Sequence, residues 1–64
     1  MRDVKRIDGF LEKFGEMWKT HFPDWRFGQL VVNFERAYGD PFYLEEDDFL
    51  KKLAEFCEKF SPLE

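Results

Sequence analysis

The sequence predicts an all-α protein, a small three-helix bundle, from two observations. Apolar residues recur at intervals of three and four along three separate stretches, which is the spacing of one face of a helix. The stretches are separated by Phe22-Pro23-Asp24 and Gly39-Asp40-Pro41, and proline and glycine interrupt helices. A chain of 64 residues has room for one domain, which we assign to residues 1–64.

The first helix is predicted over residues 4–21. Asp3 is a suitable N-cap residue, and Pro23 disfavours helical geometry at the residue before it. We expect the apolar face of this helix to pack into the core; its members are Val4, Ile7, Phe10, Leu11, Phe14, Met17 and Trp18.

The second helix is predicted over residues 25–38, with Asp24 as its cap. Gly39 occupies the position where a left-handed C-cap is expected, and Pro41 prevents the helix from continuing. One face of this helix is apolar and must be buried; it contains Phe27, Leu30, Val31, Phe34 and Tyr38.

The third helix is predicted over residues 45–60, and its apolar face contains Phe49, Leu50, Leu53, Phe56, Cys57 and Phe60. Three acid-before-base pairs at a spacing of four support it: Asp47 with Lys51, Asp48 with Lys52, and Glu55 with Lys59. In the connector that precedes it, we expect Phe42 or Tyr43 to pack against the bundle. Residues 62–64 are a candidate tail, because Leu63-Glu64 matches a common cloning scar.

Composition limits the functional classes. The formal net charge is −4, with +1 in residues 1–39 and −5 in residues 40–64, so nucleic acid is an unfavourable partner on average. The single cysteine gives no reason to place the protein in an oxidising compartment. Neither a signal peptide nor a membrane span is recognisable, and we predict a cytoplasmic protein.

No cluster of residues predicts catalysis, a metal or a cofactor. Adjacent carboxylates such as those of Glu45–Asp48 fan out around a helix instead of converging on a cation, and they suit the positive end of the helix dipole. His21 has no nucleophile beside it in the sequence, and Cys57 lies on a buried face. Gly28 lacks the companions of a phosphate-binding loop. We therefore predict a protein that is not an enzyme and infer no small-molecule substrate.

The outward side of the second helix is the candidate contact surface. A polar row at helical spacing shares this side with an indole and a β-branched residue that a folded monomer would not need there. We predict that partner binding involves Trp25, Arg26, Gln29, Val32, Asn33 and Arg36. Trp and Arg are residues that anchor protein interfaces.

Three functions remain open for this surface and for the acidic third helix. The first is contact with another protein or with a second copy of the chain. The second is nucleic-acid binding in the manner of a helix-turn-helix, because Arg, Gln and Asn side chains read base edges. The third is mimicry of nucleic acid by the acidic helix to inhibit a basic enzyme.

Three segments resemble a group of short, uncharacterised bacterial and bacteriophage proteins with similar segments in the same order. They are Met1-Arg2-Asp3 with Arg6-Ile7, Pro23-Asp24-Trp25-Arg26-Phe27-Gly28-Gln29-Leu30, and Asp40-Pro41-Phe42-Tyr43 followed by Glu46-Asp47-Asp48-Phe49-Leu50. The resemblance implies a prokaryotic or phage origin and a cytoplasmic location. It implies no activity, cofactor or catalytic residue.

Overall fold

The computed structural model describes residues 2–61 and contains three α-helices: α1 (Lys5–His21), α2 (Phe27–Tyr38) and α3 (Glu46–Phe60). No strand occurs in these residues, so the predicted all-α three-helix fold is confirmed. The candidate tail at residues 62–64 lies outside the described residues. Within residues 2–61, no helix combines the length and apolarity that crossing a membrane requires.

The ends of α1 are stabilised by residues close to those predicted. The Asp3 carboxylate accepts a hydrogen bond from the Lys5 amide at 2.9 Å, although Val4 occupies the N-cap position itself. At the other end, the Phe22 amide donates to the Trp18 carbonyl at 2.9 Å, and the backbone of Phe22 then leaves helical geometry. The helix therefore ends before Pro23, as the sequence predicts.

Helix α2 begins two residues later than predicted, and Asp24 is not its cap. The Trp25 amide donates to the Phe22 carbonyl at 3.1 Å, which closes a turn, and Arg26 takes the N-cap position in extended geometry. The Gln29 carboxamide reaches back to accept the Arg26 amide at 2.7 Å. This contact satisfies an amide that a helix start would otherwise leave unpaired.

Gly39 ends α2 with a φ of 86°, and its amide donates to the Glu35 carbonyl at 2.7 Å. The positive φ confirms the predicted glycine C-cap, because a side chain at this position would be strained. The connector then turns twice: Asp40 Oδ1 accepts the Phe42 amide at 3.0 Å, and the Pro41 carbonyl accepts the Leu44 amide at 3.0 Å.

The core lies between α2, α3 and the turn after α1, and half-buried side chains of α1 pack against it. Its buried cluster consists of Phe22, Leu30, Phe34, Leu53, Phe56 and Cys57. Phe56 stands near the middle, with its ring centroid 5.4 Å from that of Phe22 and 6.1 Å from that of Phe34. Phe22, which the sequence suggests is only a turn residue, is 1% exposed. A large ring in the turn thus completes the core.

Several apolar side chains expected in the core are exposed instead. Phe10, Phe14, Met17 and Trp18 of α1 are half-buried, whereas the neighbouring edge of the helix faces solvent. Neither Phe42 nor Tyr43 packs against the helices; the two rings contact each other at 4.7 Å. The expectation of burial is wrong for Val4, Ile7, Leu11, Phe27, Phe42, Tyr43 and Phe60, which are all exposed. Three helices this short cannot cover every apolar face.

We predict that Phe22→Ala destabilises the domain by about 3–5 kcal/mol, because it removes a fully buried ring from the centre of the core. That is a large part of the roughly 3–10 kcal/mol expected for a domain of this length. Urea unfolding followed by tryptophan fluorescence measures the change. If Phe22→Ala does not fold, Phe22→Leu should show a smaller loss.

Phe42→Ala is the matched control, since the Phe42 ring is 76% exposed and should contribute little to stability. Equal free energies of unfolding for Phe22→Leu, Phe42→Ala and wild type would contradict the central position of Phe22.

Candidate protein-contact surface

Trp25 lies in the turn before α2, not on the outward face of the helix. Its indole is half-buried and stacks on Phe22, with centroids 4.3 Å apart and planes inclined by 24°. Its carbonyl accepts a hydrogen bond from the Trp18 indole nitrogen at 3.1 Å. The prediction that Trp25 shares the outward side of α2 is therefore wrong, because the stacking on Phe22 draws the half-buried ring to the edge of the core.

Two of the four polar residues in the row are engaged within α2. Gln29 Oε1 accepts the Arg26 amide, and Asn33 Nδ2 donates to the Gln29 carbonyl at 2.8 Å. The side-chain amides of Gln29 and Asn33 stabilise the first turns of α2 through these hydrogen bonds. To read the bases of a nucleic acid, they would have to break them. Val32 is 45% exposed and does point outward, as predicted.

Three of the predicted contact residues, Trp25, Asn33 and Arg36, line a cleft between α2 and α3. We call it the α2–α3 cleft. It has a volume of about 430 Å³ and is lined by Trp25, Asn33, Arg36, Ala37, Phe56 and Phe60. Arg26, Gln29 and Val32 do not line it. Aromatic rings supply apolar surface in the cleft, and the Arg36 guanidinium and Asn33 carboxamide supply hydrogen-bond donors.

The contribution of α3 to this cleft could not be read from the sequence. Phe56 and Phe60 belong to the apolar face of α3, and helical spacing assigns both to the core. In the structure Phe56 is buried, whereas Phe60 is 52% exposed and contacts Phe56 at a centroid distance of 5.0 Å. Phe60 is the last residue of α3. This terminal position was the only sequence feature that indicated an exposed side chain.

The acidic start of α3 is partly neutralised by the N-terminal segment. Arg2 pairs with Glu45 at 2.8 Å, and Arg6 pairs with Glu46 at 3.0 Å. Both pairs are partly or fully exposed, where such contacts contribute about 0–1 kcal/mol each. Among residues 2–61, no group of three or more His, Cys, Asp and Glu side chains is arranged to hold a metal ion.

The structure places a serine beside His21, which the sequence did not indicate. His21 Nδ1 lies 3.3 Å from Ser61 Oγ, and the same hydroxyl donates to the His21 carbonyl at 3.3 Å. The serine proton is therefore directed at a backbone oxygen. We interpret the pair as a link between the C-terminal ends of α1 and α3.

Cys57 is buried, as predicted. Its side chain is part of the core cluster, and desolvation raises the pKa of the thiol above its ordinary value. A buried protonated thiol is a poor nucleophile, because the reactive species is the thiolate.

A hydrogen bond links α2 to α3 beside the cleft. The Tyr38 hydroxyl donates to Glu55 Oε1 at 2.7 Å, and Lys59 lies 3.8 Å from the same carboxylate oxygen. Desolvation, followed by the contact with Glu55, raises the pKa of Tyr38 from 10.0 to about 12. The bond from Tyr38 and the charge of Lys59 lower the pKa of Glu55. Of the three predicted acid-base pairs, the structure shows an ion pair for Glu55 and Lys59.

We predict that the raised pKa of Tyr38 makes stability fall between about pH 10 and pH 12. In this interval the unfolded chain releases the Tyr38 proton while the folded protein retains it, since the folded pKa is about 12. The contribution is complete below the unfolded pKa and disappears as pH rises through the folded pKa. Tyr38→Phe should therefore show a shallower decline than wild type in urea unfolding over this interval.

Tyr43→Phe is the control, because Tyr43 is 91% exposed and its removal leaves the contact between Tyr38 and Glu55 intact. Parallel declines for wild type and Tyr38→Phe would show that the titration of Tyr38 does not cause the loss of stability.

No protein-family model matches this chain, and neither a curated protein nor a solved structure matches it. The expected prokaryotic or phage origin therefore stays a prediction. The chemistry of the chain's own surface is the basis for any functional proposal.

Proposed function

We propose that this chain is a non-enzymatic binding module that contacts another protein through the α2–α3 cleft and the adjacent outward side of α2. The observation that carries the proposal is the combination of aromatic surface and an exposed arginine in one open cleft. Trp25 and Phe60 both line it, and Arg36 stands beside them. Buried aromatic and arginine contacts account for most of the binding energy in many protein interfaces.

The chemistry of the cleft suggests the kind of side chain that it receives. An apolar side chain of the partner would displace water from the surfaces of Trp25 and Phe60. Arg36 forms no ion pair with any residue in the part of the chain that the structure describes, so its guanidinium is available to an acidic group of the partner. The partner sequence would therefore combine an apolar residue with a nearby carboxylate.

Nucleic-acid binding through the same helix is the weaker proposal. Gln29 and Asn33 are engaged within α2, while Arg2 and Arg6 pair with acidic residues at the start of α3. Inhibition by an acidic surface is also weaker, because those same arginines neutralise Glu45 and Glu46. Retardation of duplex DNA at low salt, abolished by Arg26→Ala with Arg36→Ala, would favour the nucleic-acid alternative.

We also propose a cytoplasmic location. The lone cysteine is buried and reduced, and such a cysteine gives no reason to expect an oxidising compartment.

We predict that Arg36→Glu combined with Phe60→Ala abolishes capture of the partner. A photo-crosslinking amino acid at position 32, which is 45% exposed beside the cleft, should trap one discrete adduct in the source cell. The double variant should reduce its yield at least about tenfold, because arginine and aromatic anchors often contribute 2 kcal/mol or more. Lys51→Glu, on an exposed part of α3, should leave the yield unchanged.

Circular dichroism of each variant verifies that the helices are intact. An equal yield of the same adduct from wild type and the double variant would show that the cleft is not the contact surface. Trp25 is unsuitable for substitution in this test, because its stacking on Phe22 links it to stability.

A further inference from the structure

One edge of α1 remains without a partner in the folded chain. Val4, Ile7 and Leu11 are 69%, 42% and 56% exposed, and we call these three residues the α1 strip. They follow helical spacing and therefore form one continuous line. Helix α3 packs on the neighbouring face of α1, where Phe10 lies 5.7 Å from Phe49 between ring centroids. The strip is consequently left to solvent.

Apolar surface continues from the strip to the connector between α2 and α3. Ile7 and Leu11 border a groove of about 370 Å³ together with Pro41 and Leu44. Between these two connector residues, the rings of Phe42 and Tyr43 are 76% and 91% exposed. Side chains of this size present about 150–250 Å² each. Together with the strip they reach the roughly 300–600 Å² of the largest apolar patch on a typical monomer.

This surface can supply the apolar centre of a dimer interface. A standard interface buries about 800 Å² on each partner, so the strip and the two connector rings would form its centre and the polar residues around them its rim. A two-fold dimer also requires a surface that complements itself, since each contact occurs twice. The charges beside the strip satisfy this requirement.

A row of charged side chains follows the strip on the side away from the connector. Lys5, Asp8 and Glu12 are exposed and form no ion pairs within the described residues 2–61. If two α1 helices cross antiparallel about Ile7, Val4 of each copy faces position 10 of the other and lies about 1.5 Å along the axis from Leu11. Lys5 then faces position 9 of the second copy, between Asp8 and Glu12, about 1.5 Å along the axis from Asp8 and about 4.5 Å from Glu12.

The opposite orientation is unfavourable. In a parallel two-fold pair, the charged row of each copy would face the opposite side of the other α1 helix, so Lys5 would have neither Asp8 nor Glu12 of the second copy beside it. In the antiparallel pair, the two Asp8 carboxylates approach each other, but each also has a lysine of the other copy beside it. Apolar surface and charge therefore favour the same arrangement.

We propose that the α1 strip is a homodimer interface in which two copies of this chain pack antiparallel about Ile7. The connector rings Phe42 and Tyr43 border the interface and enlarge it. This surface is separate from the α2–α3 cleft, so each copy in the dimer keeps its cleft open to a partner. Failure of one proposal leaves the other intact.

Sedimentation equilibrium over a wide range of protein concentrations tests the dimer. Ile7→Glu and Leu11→Glu should each raise the dissociation constant at least about thirtyfold, because they place a carboxylate in the apolar centre of the interface. Both positions are exposed, so circular dichroism should show intact helices. Val32→Glu is the matched control, with 45% exposure on α2, and should remain dimeric.

Charge reversal tests the orientation. Lys5→Glu should weaken the dimer, because it places a third acid between Asp8 and Glu12 of the second copy. Adding Asp8→Lys and Glu12→Lys inverts the whole row and should restore association. A generally adhesive apolar surface would not show this rescue.

Disulfide trapping tests the register. Ile7→Cys should form a covalent dimer under mild oxidation, because the two residues at position 7 meet at the two-fold axis. Val4→Cys alone should not, since its two copies are about 10 Å apart along the axis. Val4→Cys mixed with Leu11→Cys should give a crosslinked pair.

Three results would overturn the proposal. They are a wild-type monomer at the highest concentration, a dimer that survives both glutamate substitutions in the strip, and a dimer that only Val32→Glu dissociates. Absence of charge-reversal rescue would overturn the antiparallel arrangement.

Discussion

The contact between Phe22 and Phe56 connects the parts of this structure. Phe22 lies in the turn after α1, Phe56 lies on α3, and their ring centroids are 5.4 Å apart. Phe56 also contacts Phe34 of α2, so one side chain of α3 meets both other segments. In a chain this short, few residues can be fully buried, and each such ring has a large share in holding the helices together.

The same contact determines the nature of the candidate binding surface. Because Phe22 is buried in the turn, Trp25 stacks on it and its indole comes to rest at the edge of the core. The indole then lines the α2–α3 cleft along with Phe60 and Arg36. The cleft is therefore an extension of the aromatic core to the surface, with a charged side chain beside it.

The small core also explains the surplus of apolar surface. Three of the nine phenylalanines, Phe22, Phe34 and Phe56, are fully buried. Of the other six, Phe10, Phe14 and Phe49 are half-buried, and Phe27, Phe42 and Phe60 are exposed. Exposed apolar groups gain free energy when a second surface covers them. A domain of this composition thus has two surfaces suited to association, the cleft and the α1 strip.

The sequence by itself determined the helices and their ends. Apolar spacing, the proline after Phe22 and the glycine at position 39 act within a few residues, so α1, α2 and α3 could be predicted to within two residues. Burial of Leu30, Leu53 and Cys57 followed from the same spacing. Only the tertiary structure decided which part of each apolar face is covered, because that depends on how the helices cross. In the folded chain Phe22 is buried, whereas Ile7, Leu11 and Phe60 are exposed. Sequence could not predict this difference, because helical spacing specifies the apolar face of a helix but not the neighbour that packs against it.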